Sequence, residues 1–271
     1  MAQLAAPTAY AVAVEVGGIP VLLRTTDADF AQMLEERYSR FVKPAARASL
    51  EFDVELAPPS GMDPDDDVQV RCRNGRWSFQ RGDFRAEWEP GSGRGHIRQS
   101  PNPYSVDSVL RIVHSIILAG EGGFLLHAAS VVRSGHAYLF SGLSGAGKTT
   151  ISRLSPPDVT LLTDEVSYLR RCRPHGYHAF GTPFAGELAR VGENVSAPIG
   201  AVYLLAKGTE NRIDSVPASE AVHRLMRNIL FFAEEPALVE RVFHACCEFV
   251  ARVSVQRLTF LPDQRVWELI R

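Results

Sequence analysis

Cysteine is scarce in this sequence, and the few that occur are not spaced as metal ligands. The 271 residues include four cysteines, and no two of them form a C-x-x-C pair. Zinc cages and disulfide frameworks depend on such pairs or on a much higher cysteine content. The sequence therefore disfavours both, and it indicates a reducing compartment.

Long apolar runs are absent as well. No run of 18 apolar residues occurs, and the first residues lack a basic segment followed by a long apolar one. A membrane-spanning helix needs about 20 apolar residues, and a secretory signal needs both of those segments. We therefore expect a cytoplasmic protein with no membrane partner.

The sequence also lacks an excess of charge of either sign. Its formal net charge is −2, and it has no basic cluster with interleaved aromatic residues. Surfaces that bind nucleic acid usually contain such clusters, so nucleic acid is not an expected partner. Apolar residues make up 45% of the chain, which predicts a folded protein with a substantial core.

The first hundred residues predict a small α+β module without recognisable chemistry. Two β-rich runs, at residues 9–16 and 19–24, flank a pair of glycines, which is the pattern of a hairpin. A helix ending near Phe41 is predicted next, with Thr26 or Asp27 as its N-terminal cap. An alternating strand and an antiparallel meander of short strands follow, at residues 48–56, 68–72, 77–79, 84–88 and 96–98.

Two loops divide this part of the chain. The acidic stretch at residues 58–67 lacks the spacing and terminal glutamate of an EF-hand, so it indicates a solvated loop and not a calcium site. Prolines at residues 101 and 103 mark a domain boundary, and Ser105 is predicted to cap a helix that ends at Gly120. We therefore expect an N-terminal module at residues 1–103, with a structural or substrate-presenting role, and a second domain at residues 104–271.

One glycine-rich stretch of the second domain has a clear chemical pattern. Gly142, Gly147, Lys148 and Thr149 match G-x-x-x-x-G-K-[ST], the pattern of a P-loop. Glycines let the backbone turn several N–H groups toward one phosphate. Lys148 would reach the β- and γ-phosphates of a nucleotide, and the Thr149 hydroxyl would ligate Mg²⁺. The predicted nucleotide-binding residues are Gly142, Ser144, Gly145, Ala146, Gly147, Lys148, Thr149 and Thr150.

The segments around this stretch fit the same prediction. Residues 137–140 form a short apolar run typical of a strand, and residues 150–154 can begin a helix. A helix that begins directly after the loop would add the positive end of its dipole to the phosphate site. The flanking pattern therefore predicts a strand, a phosphate-binding loop and a helix in that order.

Three further polar residues follow or interrupt apolar runs near the P-loop. His127 lies within the apolar run 124–132, where a single histidine is most often a hydrogen-bonded core residue. Asp164 and Glu165 lie at the end of the run 159–166. An acid at such a place can ligate a nucleotide-bound Mg²⁺ or act as a base for an attacking hydroxyl. The alternative for Asp164 is a turn or helix cap.

Together, residues 127–130, 141–150 and 162–165 resemble the catalytic core of HPr kinase/phosphorylase and of the HPr-kinase-related serine kinases. They are also similar to the core of ATP-dependent phosphoenolpyruvate carboxykinase, which shares that fold. The resemblance covers roughly residues 105–190, and the short chain favours the HPr-kinase-like group. It implies an α/β fold with a P-loop kinase core, in which a mixed, strongly twisted sheet packs with helices, preceded by the small α+β module.

The resemblance also implies the cofactors ATP and Mg²⁺ and a role for each site residue. Asp164 would take the proton from the accepting hydroxyl or bind the metal, and His127 would lie beside the transferring phosphoryl group or the metal. Lys148 would stabilise the β- and γ-phosphates. The implied metal ligands are Thr149, Asp164 and Glu165.

Two features of this chain depart from the family pattern. Glu165 takes the place of a second aspartate but keeps a carboxylate, and Thr150 stands where HPr kinases have a glutamate. The loop with which HPr kinases bind HPr is not recognisable here. HPr itself is therefore not the expected substrate.

The resemblance implies transfer of the γ-phosphoryl group of ATP to a hydroxyl, with a serine of a protein or peptide as the expected acceptor. Two alternatives remain open at this point, a kinase of a small hydroxylated metabolite and a regulatory module that binds ATP without turnover. A homo-oligomer is compatible with each of them.

The C-terminal third has one loop of interest. Residues 180–187 form a Gly/Pro-rich turn, for which contact with the acceptor through Thr182 and Glu187 is the alternative interpretation. Lys207 and Gly208 indicate a surface turn, or else a position near the nucleotide. Cys246 and Cys247 fall within a helical pattern and indicate packing. The predicted elements are strands at 199–205 and 256–260 and helices at 218–232, 236–252 and 262–270.

Overall fold

The computed structural model describes residues 9–44, 48–58, 67–184 and 191–270. The chain divides into two compact units, Met1–Arg111 and Ile112–Arg271. Strands and helices both contribute to the fold, and the strands form one sheet of seven strands and one of nine. The predicted α/β class is therefore confirmed. No helix in the described ranges is long and apolar enough to cross a membrane.

The first unit is built on the seven-stranded sheet. Its elements are β1 (Tyr10–Val16), β2 (Ile19–Thr25), α1 (Ala28–Arg37), β3 (Leu50–Leu56), β4 (Gln69–Arg73), β5 (Arg76–Arg81), β6 (Phe84–Glu89) and β7 (Arg94–Gln99). The strands lie in the order β1-β2-β3-β7-β6-β5-β4. Strand β3 is parallel to both of its neighbours, and the other pairs are antiparallel.

The predicted hairpin and meander of this unit are confirmed. Strands β1 and β2 are joined by Gly17 and Gly18, whose φ angles of 62° and 79° are those that a tight hairpin turn requires. Strands β4 to β7 pair in sequence order as an antiparallel meander. Most of the acidic stretch between β3 and β4, residues 59–66, lies outside the described residues.

Helix α1 is shorter than predicted. Asp27 is its cap, as expected, and accepts a hydrogen bond from the Phe30 N–H at 2.8 Å. The helix ends at Arg37 and not near Phe41 because the following segment joins the edge of the sheet. There the Phe41 carbonyl accepts a hydrogen bond from the Glu15 N–H at 2.9 Å. Extension of the helix would break this contact with β1.

Helix α2 (Pro103–Glu121) begins at a different cap from the one predicted. The side-chain oxygen of Asn102 accepts hydrogen bonds from the N–H groups of Tyr104 and Ser105, at 3.0 and 3.1 Å. The prediction of Ser105 as the cap is wrong. Its hydroxyl instead donates a hydrogen bond to Asp83 at 2.8 Å.

A buried carboxylate on α2 holds the end of α1. Asp107 is only 5% exposed and accepts hydrogen bonds from the Arg37 guanidinium and, at 2.5 Å, from the Tyr38 hydroxyl. Tyr38 is fully buried, and burial together with the Asp107 charge raises its pKa well above the usual value. Tyr38 therefore stays a neutral donor, and the charge of Asp107 is balanced by Arg37.

The second unit contains the nine-stranded sheet. Its elements after α2 are β8 (Phe124–Arg133), β9 (His136–Ser141), α3 (Lys148–Arg153), β10 (Thr160–Thr163), β11 (Val166–Cys172), β12 (Gly176–Phe180), β13 (Ser196–Lys207), β14 (Arg212–Ser215), α4 (Ala218–Met226), β15 (Ile229–Leu230), α5 (Pro236–Val250), β16 (Ser254–Phe260) and a 3₁₀ helix (Gln264–Glu268). Strand β9 is parallel to β13, and β13 is parallel to β16.

The sheet of the second unit divides along strand β8. The first part of β8, up to His127, pairs with β11 and β15. From Ala128 onward it pairs with β9 and, from Ser130, with β10. We call the junction of these two parts, His127 and Ala128, the fork. Because β10 and β11 pair with different parts of β8, the chain crosses from one half of the sheet to the other between them.

Helix α5 covers part of the core of this unit. Phe249 is fully buried, with ring centroids 5.3 Å from Phe124 and 4.9 Å from Tyr177. Cys246 is buried in the same cluster. Burial, with a smaller contribution from Cys247, raises the pKa of the Cys246 thiol to about 12. This thiol therefore stays protonated at neutral pH and packs as an apolar group, as predicted.

Two helices near the C-terminus, predicted at residues 218–232 and 262–270, differ from their predictions. Helix α4 stops at Met226 because Ile229 and Leu230 pair with β8 as strand β15, so the prediction of a helix through residue 232 is wrong. The predicted terminal helix is a 3₁₀ turn that begins after Asp263. The Asp263 side chain accepts a hydrogen bond from the Arg265 N–H at 2.9 Å.

Candidate active site

The glycine loop, residues 142–147, connects β9 to α3 and needs glycine at both of its ends. A Cβ atom at Gly142 would lie 2.7 Å from the Ala146 Cβ. Gly147 has a φ of 110°, and a Cβ atom there would lie 2.7 Å from the Phe260 ring. Both contacts are too short for any side chain. The predicted order of strand, loop and helix is present, although α3 has only six residues.

Lys148 reaches back across the glycine loop. Its ammonium donates hydrogen bonds to the carbonyls of Gly142 at 2.9 Å and Leu143 at 3.4 Å. The residue is 8% exposed. A positive charge is therefore held over the opening of the loop by contacts with its backbone.

The acid pair lies in the turn between β10 and β11. The hydroxyl of Thr163 accepts hydrogen bonds from the N–H groups of Glu165 and Val166, both at 3.2 Å, and this fixes the turn. Asp164 is 6% exposed. The Glu165 carbonyl accepts a hydrogen bond from the Ala128 N–H at 3.0 Å. The turn is therefore attached to the fork by backbone contacts.

His127 lies on the other side of this junction. It is opposite Val166 in the β8–β11 register, and its N–H donates a hydrogen bond to the Asn228 carbonyl at 2.7 Å. Its own carbonyl accepts a hydrogen bond from the Ser141 hydroxyl at 3.3 Å, directly before the glycine loop. The fork thus brings strand β8, the acid turn and the glycine loop together.

One cavity of about 300 Å³ is common to all of these segments, and we call it the phosphate cavity after the ligand that the sequence predicts for it. It contains each of the predicted catalytic residues and each of the predicted metal ligands. Its lining is His127, Ser144, Gly145, Gly147, Lys148, Thr149, Thr150, Asp164 and Glu165. Residues far apart in the sequence therefore face one space.

The two other predicted nucleotide-binding residues lie beside a second cavity. Gly142 and Ala146 line this neighbouring space of about 240 Å³, which Ser144 and Gly145 share with the phosphate cavity. We call it the cationic cavity because Lys207, Arg224 and Arg227 also line it. The glycine loop is the wall between the two spaces.

The described residues suit Mg²⁺ only if other ligands complete its coordination. They contain no group of three or more His, Cys, Asp or Glu side chains arranged to hold a metal. The phosphate cavity offers the Thr149 hydroxyl and the carboxylates of Asp164 and Glu165. Mg²⁺ in phosphoryl-transfer sites is usually bound by one or two carboxylates together with phosphate oxygens and water. The oxygen donors present therefore fit Mg²⁺ shared with a polyphosphate.

The loop after β12 supports the acid turn. The buried Thr182 donates its hydroxyl to the Val166 carbonyl at 2.9 Å and its N–H to the Leu162 carbonyl at 3.1 Å. These bonds hold the strands on both sides of the turn, which favours the simple-turn interpretation of residues 180–184. Glu187, the other residue named for acceptor contact, lies outside the described residues.

Sequence reasoning missed Arg224, Arg227 and Asn228. The two arginines are three residues apart at the end of α4, a spacing that places side chains on one face of a helix and was available as a signal. Asn228 gave no such signal, because its role is the backbone contact with His127. Lys207, for which the sequence predicts either a surface turn or a position near the nucleotide, is exposed and lines the cationic cavity.

If the loop binds Mg-ATP as the sequence predicts, replacing Gly147 by alanine should weaken this binding roughly 5- to 150-fold, since forcing a side chain into such a backbone conformation costs about 1–3 kcal/mol. The reason is that the new methyl group must displace either the loop or the Phe260 ring. Isothermal titration calorimetry measures the effect. Gly135→Ala is the matched control, because its φ of 78° is also positive but no atom lies within 4 Å of its Cβ position. Equal loss of affinity in both variants would contradict the prediction.

Comparison with known proteins identifies a family but no activity. No curated protein matches the chain. Residues 104–271, which are more than half of the chain, match the family described as SynChlorMet cassette protein ScmC. The match begins within one residue of the start of α2 and includes the whole second unit with both cavities. The chain therefore belongs to the SynChlorMet cassette protein ScmC family.

Proposed function

We propose that this protein is an ATP-dependent kinase of the HPr-kinase-like type, which transfers the γ-phosphoryl group to a hydroxyl, with a serine of a protein or peptide as acceptor. The observation that carries the proposal is the phosphate cavity, in which Lys148 and Thr149 of the loop face the same space as Asp164. A cation, an oxygen donor for metal and a carboxylate are the groups that phosphoryl transfer requires in one place.

Each residue has a separate part in the proposed reaction. The amides of the glycine loop and the Lys148 ammonium hold the polyphosphate and neutralise charge on its outer oxygens. Thr149, Asp164 and Glu165 would hold Mg²⁺, which supplies further neutralisation of the transferring phosphoryl group when it is bound. Asp164 accepts the proton of the attacking hydroxyl. Because Asp164 has little exposure to water, water competes less for its carboxylate. Its interactions with charged groups and with the acceptor hydroxyl are therefore stronger.

The fold of the second unit supports the same proposal. We propose that it is a P-loop kinase core of the type shared by HPr kinase and phosphoenolpyruvate carboxykinase. The supporting features are a mixed sheet that divides at His127, a glycine loop between β9 and α3, and an acid pair in the turn between β10 and β11. The placement of His127 at the fork also favours a role beside the phosphoryl group over a role in the core, since its side chain lines the phosphate cavity.

Mg-ATP should bind to the protein with measurable heat and raise its melting temperature. A ligand at 100 times its dissociation constant stabilises a folded protein by about 2.7 kcal/mol. Calorimetry and thermal unfolding with Mg-ATP test this, followed by mass spectrometry of serine-containing peptides incubated with enzyme and ATP.

AMP is the control for this experiment because it lacks the β- and γ-phosphates that Lys148 would contact. It should bind much more weakly than ATP. Absence of binding heat with Mg-ATP would remove the basis of the proposal. Binding without transfer to any peptide or metabolite hydroxyl would instead identify a regulatory module, and transfer to metabolites alone would identify a small-molecule kinase.

A further inference from the structure

The cationic cavity carries a surplus of positive charge beside the glycine loop. Lys207, Arg224 and Arg227 line it together with Leu143, Leu205 and Asn228, and its lining contains no acidic side chain. Arg224 is paired with Glu220 at 3.3 Å. In the described part of the chain, neither Lys207 nor Arg227 forms an ion pair. At least two positive charges therefore face this cavity without compensation from the protein.

The fold holds these charges next to the loop. Strands β9 and β13 are parallel, so the glycine loop after Ser141 and Lys207 at the end of β13 lie at the same edge of the sheet. Arg224 is in the last turn of α4 and Arg227 directly follows it. Asn228, the next residue, is fixed to the fork through its bond with His127. The end of β13 therefore positions Lys207, and the end of α4, which is attached to the fork, positions the two arginines.

The lining of this cavity is better suited to an anion than to a nucleoside. A nucleoside is neutral, so three cations would contribute little to its recognition. The polyphosphate has its own cation in Lys148, on the other side of the loop. Ser144 and Gly145 line both cavities, so a group bound in the cationic cavity would lie beside the phosphate cavity. An anionic group beside the acceptor hydroxyl therefore fits this lining better than a nucleoside does.

The exposure of the cations indicates what kind of molecule carries that anion. Lys207, Arg224 and Arg227 are all exposed, and the cavity has a volume of about 240 Å³. Small-molecule sites usually have about 300–1,000 Å³ and bury at least 70% of the ligand surface. An open rim of exposed cations is more typical of contact with a solvated carboxylate on a larger chain.

We propose that the cationic cavity binds an acidic side chain of a peptide acceptor close to its phosphorylated serine. This inference rests on the proposed kinase function and specifies its substrate class as acidic peptides. The carboxylate would place the neighbouring serine hydroxyl in the phosphate cavity, which Asp164 also lines. The cationic cavity would thereby select the acceptor without taking part in the chemical step.

The test compares two fluorescent serine peptides that differ only by glutamate or glutamine on both sides of the serine. Fluorescence anisotropy in the presence of Mg-ADP measures their binding without any need for transfer. The acidic peptide should bind about 10-fold more tightly at low salt, and this advantage should shrink at high salt because exposed charges are screened. In the double variant Lys207→Gln, Arg227→Gln, the two peptides should bind within about 2-fold of each other, because those contacts supply the difference.

Arg241→Gln is the matched control, since Arg241 is exposed on α5 and lines neither cavity. It should keep the full preference for the acidic peptide. Equal binding of both peptides to the unmodified protein would overturn the inference. So would a preference for the acidic peptide that survives in the double variant. Displacement of the bound peptide by inorganic phosphate alone would overturn it as well. Preferential binding of the acidic peptide without phosphorylation would leave this inference standing while the proposed kinase function fails. Equal phosphoryl transfer to both peptides would support the proposed kinase function and contradict the inference that the cationic cavity selects acidic peptides.

Discussion

Replacing Asp164 by asparagine should lower the rate of phosphoryl transfer about 10²- to 10⁴-fold, the usual contribution of a general base. Binding of Mg-ATP should remain within a few-fold of the unmodified protein. Asparagine has nearly the same size as aspartate and keeps one oxygen, but it cannot accept the proton of the attacking hydroxyl. Steady-state transfer assays and calorimetry on the same preparation measure the two quantities separately.

Asp158→Asn provides the control for this experiment. Asp158 precedes β10, is exposed and pairs with Arg133 at 3.0 Å, so its substitution makes the same chemical change outside both cavities. Its variant should transfer phosphate at the normal rate. An Asp164→Asn variant that is fully active would show that another group takes the proton, and the assignment of Asp164 would then have to be withdrawn.

Glu165→Gln separates the two roles open to the acid pair. If Glu165 serves only as a metal ligand, its substitution should raise the Mg²⁺ concentration required for half-maximal transfer and affect the rate at saturating Mg²⁺ less than Asp164→Asn does. The two carboxylates are adjacent in one turn, so the comparison holds the backbone frame constant.

Removal of the Asp107 carboxylate should lower the free energy of unfolding by about 1–3 kcal/mol, the usual cost of leaving a buried hydrogen-bonding group without its partner. In Asp107→Ala the Arg37 guanidinium loses its partner and the fully buried Tyr38 hydroxyl loses its acceptor. Urea denaturation monitored by tryptophan fluorescence measures the loss.

Two further variants make this result specific. Asp107→Asn keeps an oxygen for the Tyr38 hydroxyl but removes the charge that balances Arg37, so its loss of stability should be smaller than that of the alanine variant. Glu35→Ala, on the exposed face of α1, should change the unfolding free energy by no more than about 0.5 kcal/mol. A loss below about 1 kcal/mol in Asp107→Ala would mean that the buried cluster contributes little to stability.

Much of the fold could be predicted where a short sequence pattern is enough to determine a strand, a turn or a helix. The two glycines after β1 and the alternating strands of the meander depend on turn chemistry and on a period of two, both of which are visible in the sequence. The glycine loop was recognised for the same reason, since its pattern is contained within eight residues. His127, Asp164 and Glu165 stand out as candidate site residues because each interrupts or ends an apolar run.

Long-range pairing accounts for the early ends of α1 and α4. Ile229 and Leu230 continue an apolar pattern that suits a helix, yet hydrogen bonds with Leu125 and Leu126 make them a strand. The division of β8 at the fork is also invisible locally, because it depends on which distant strand pairs with each half. The division of β8 brings the acid turn next to the glycine loop. It also brings the end of α4, with Arg224 and Arg227, next to that loop.

Hydrogen bonds between backbone groups hold the segments of the candidate site together, and this affects how the protein can evolve. At the fork, the amides of His127 and Ala128 are bonded to the carbonyls of Asn228 and Glu165, so the positions of three segments depend on backbone groups that every residue type except proline carries. Side chains such as Lys207 and Arg227 can then be exchanged by single mutations without moving the reactive centre. A lineage with this architecture can diversify the molecules it recognises while the chemistry it performs is inherited intact.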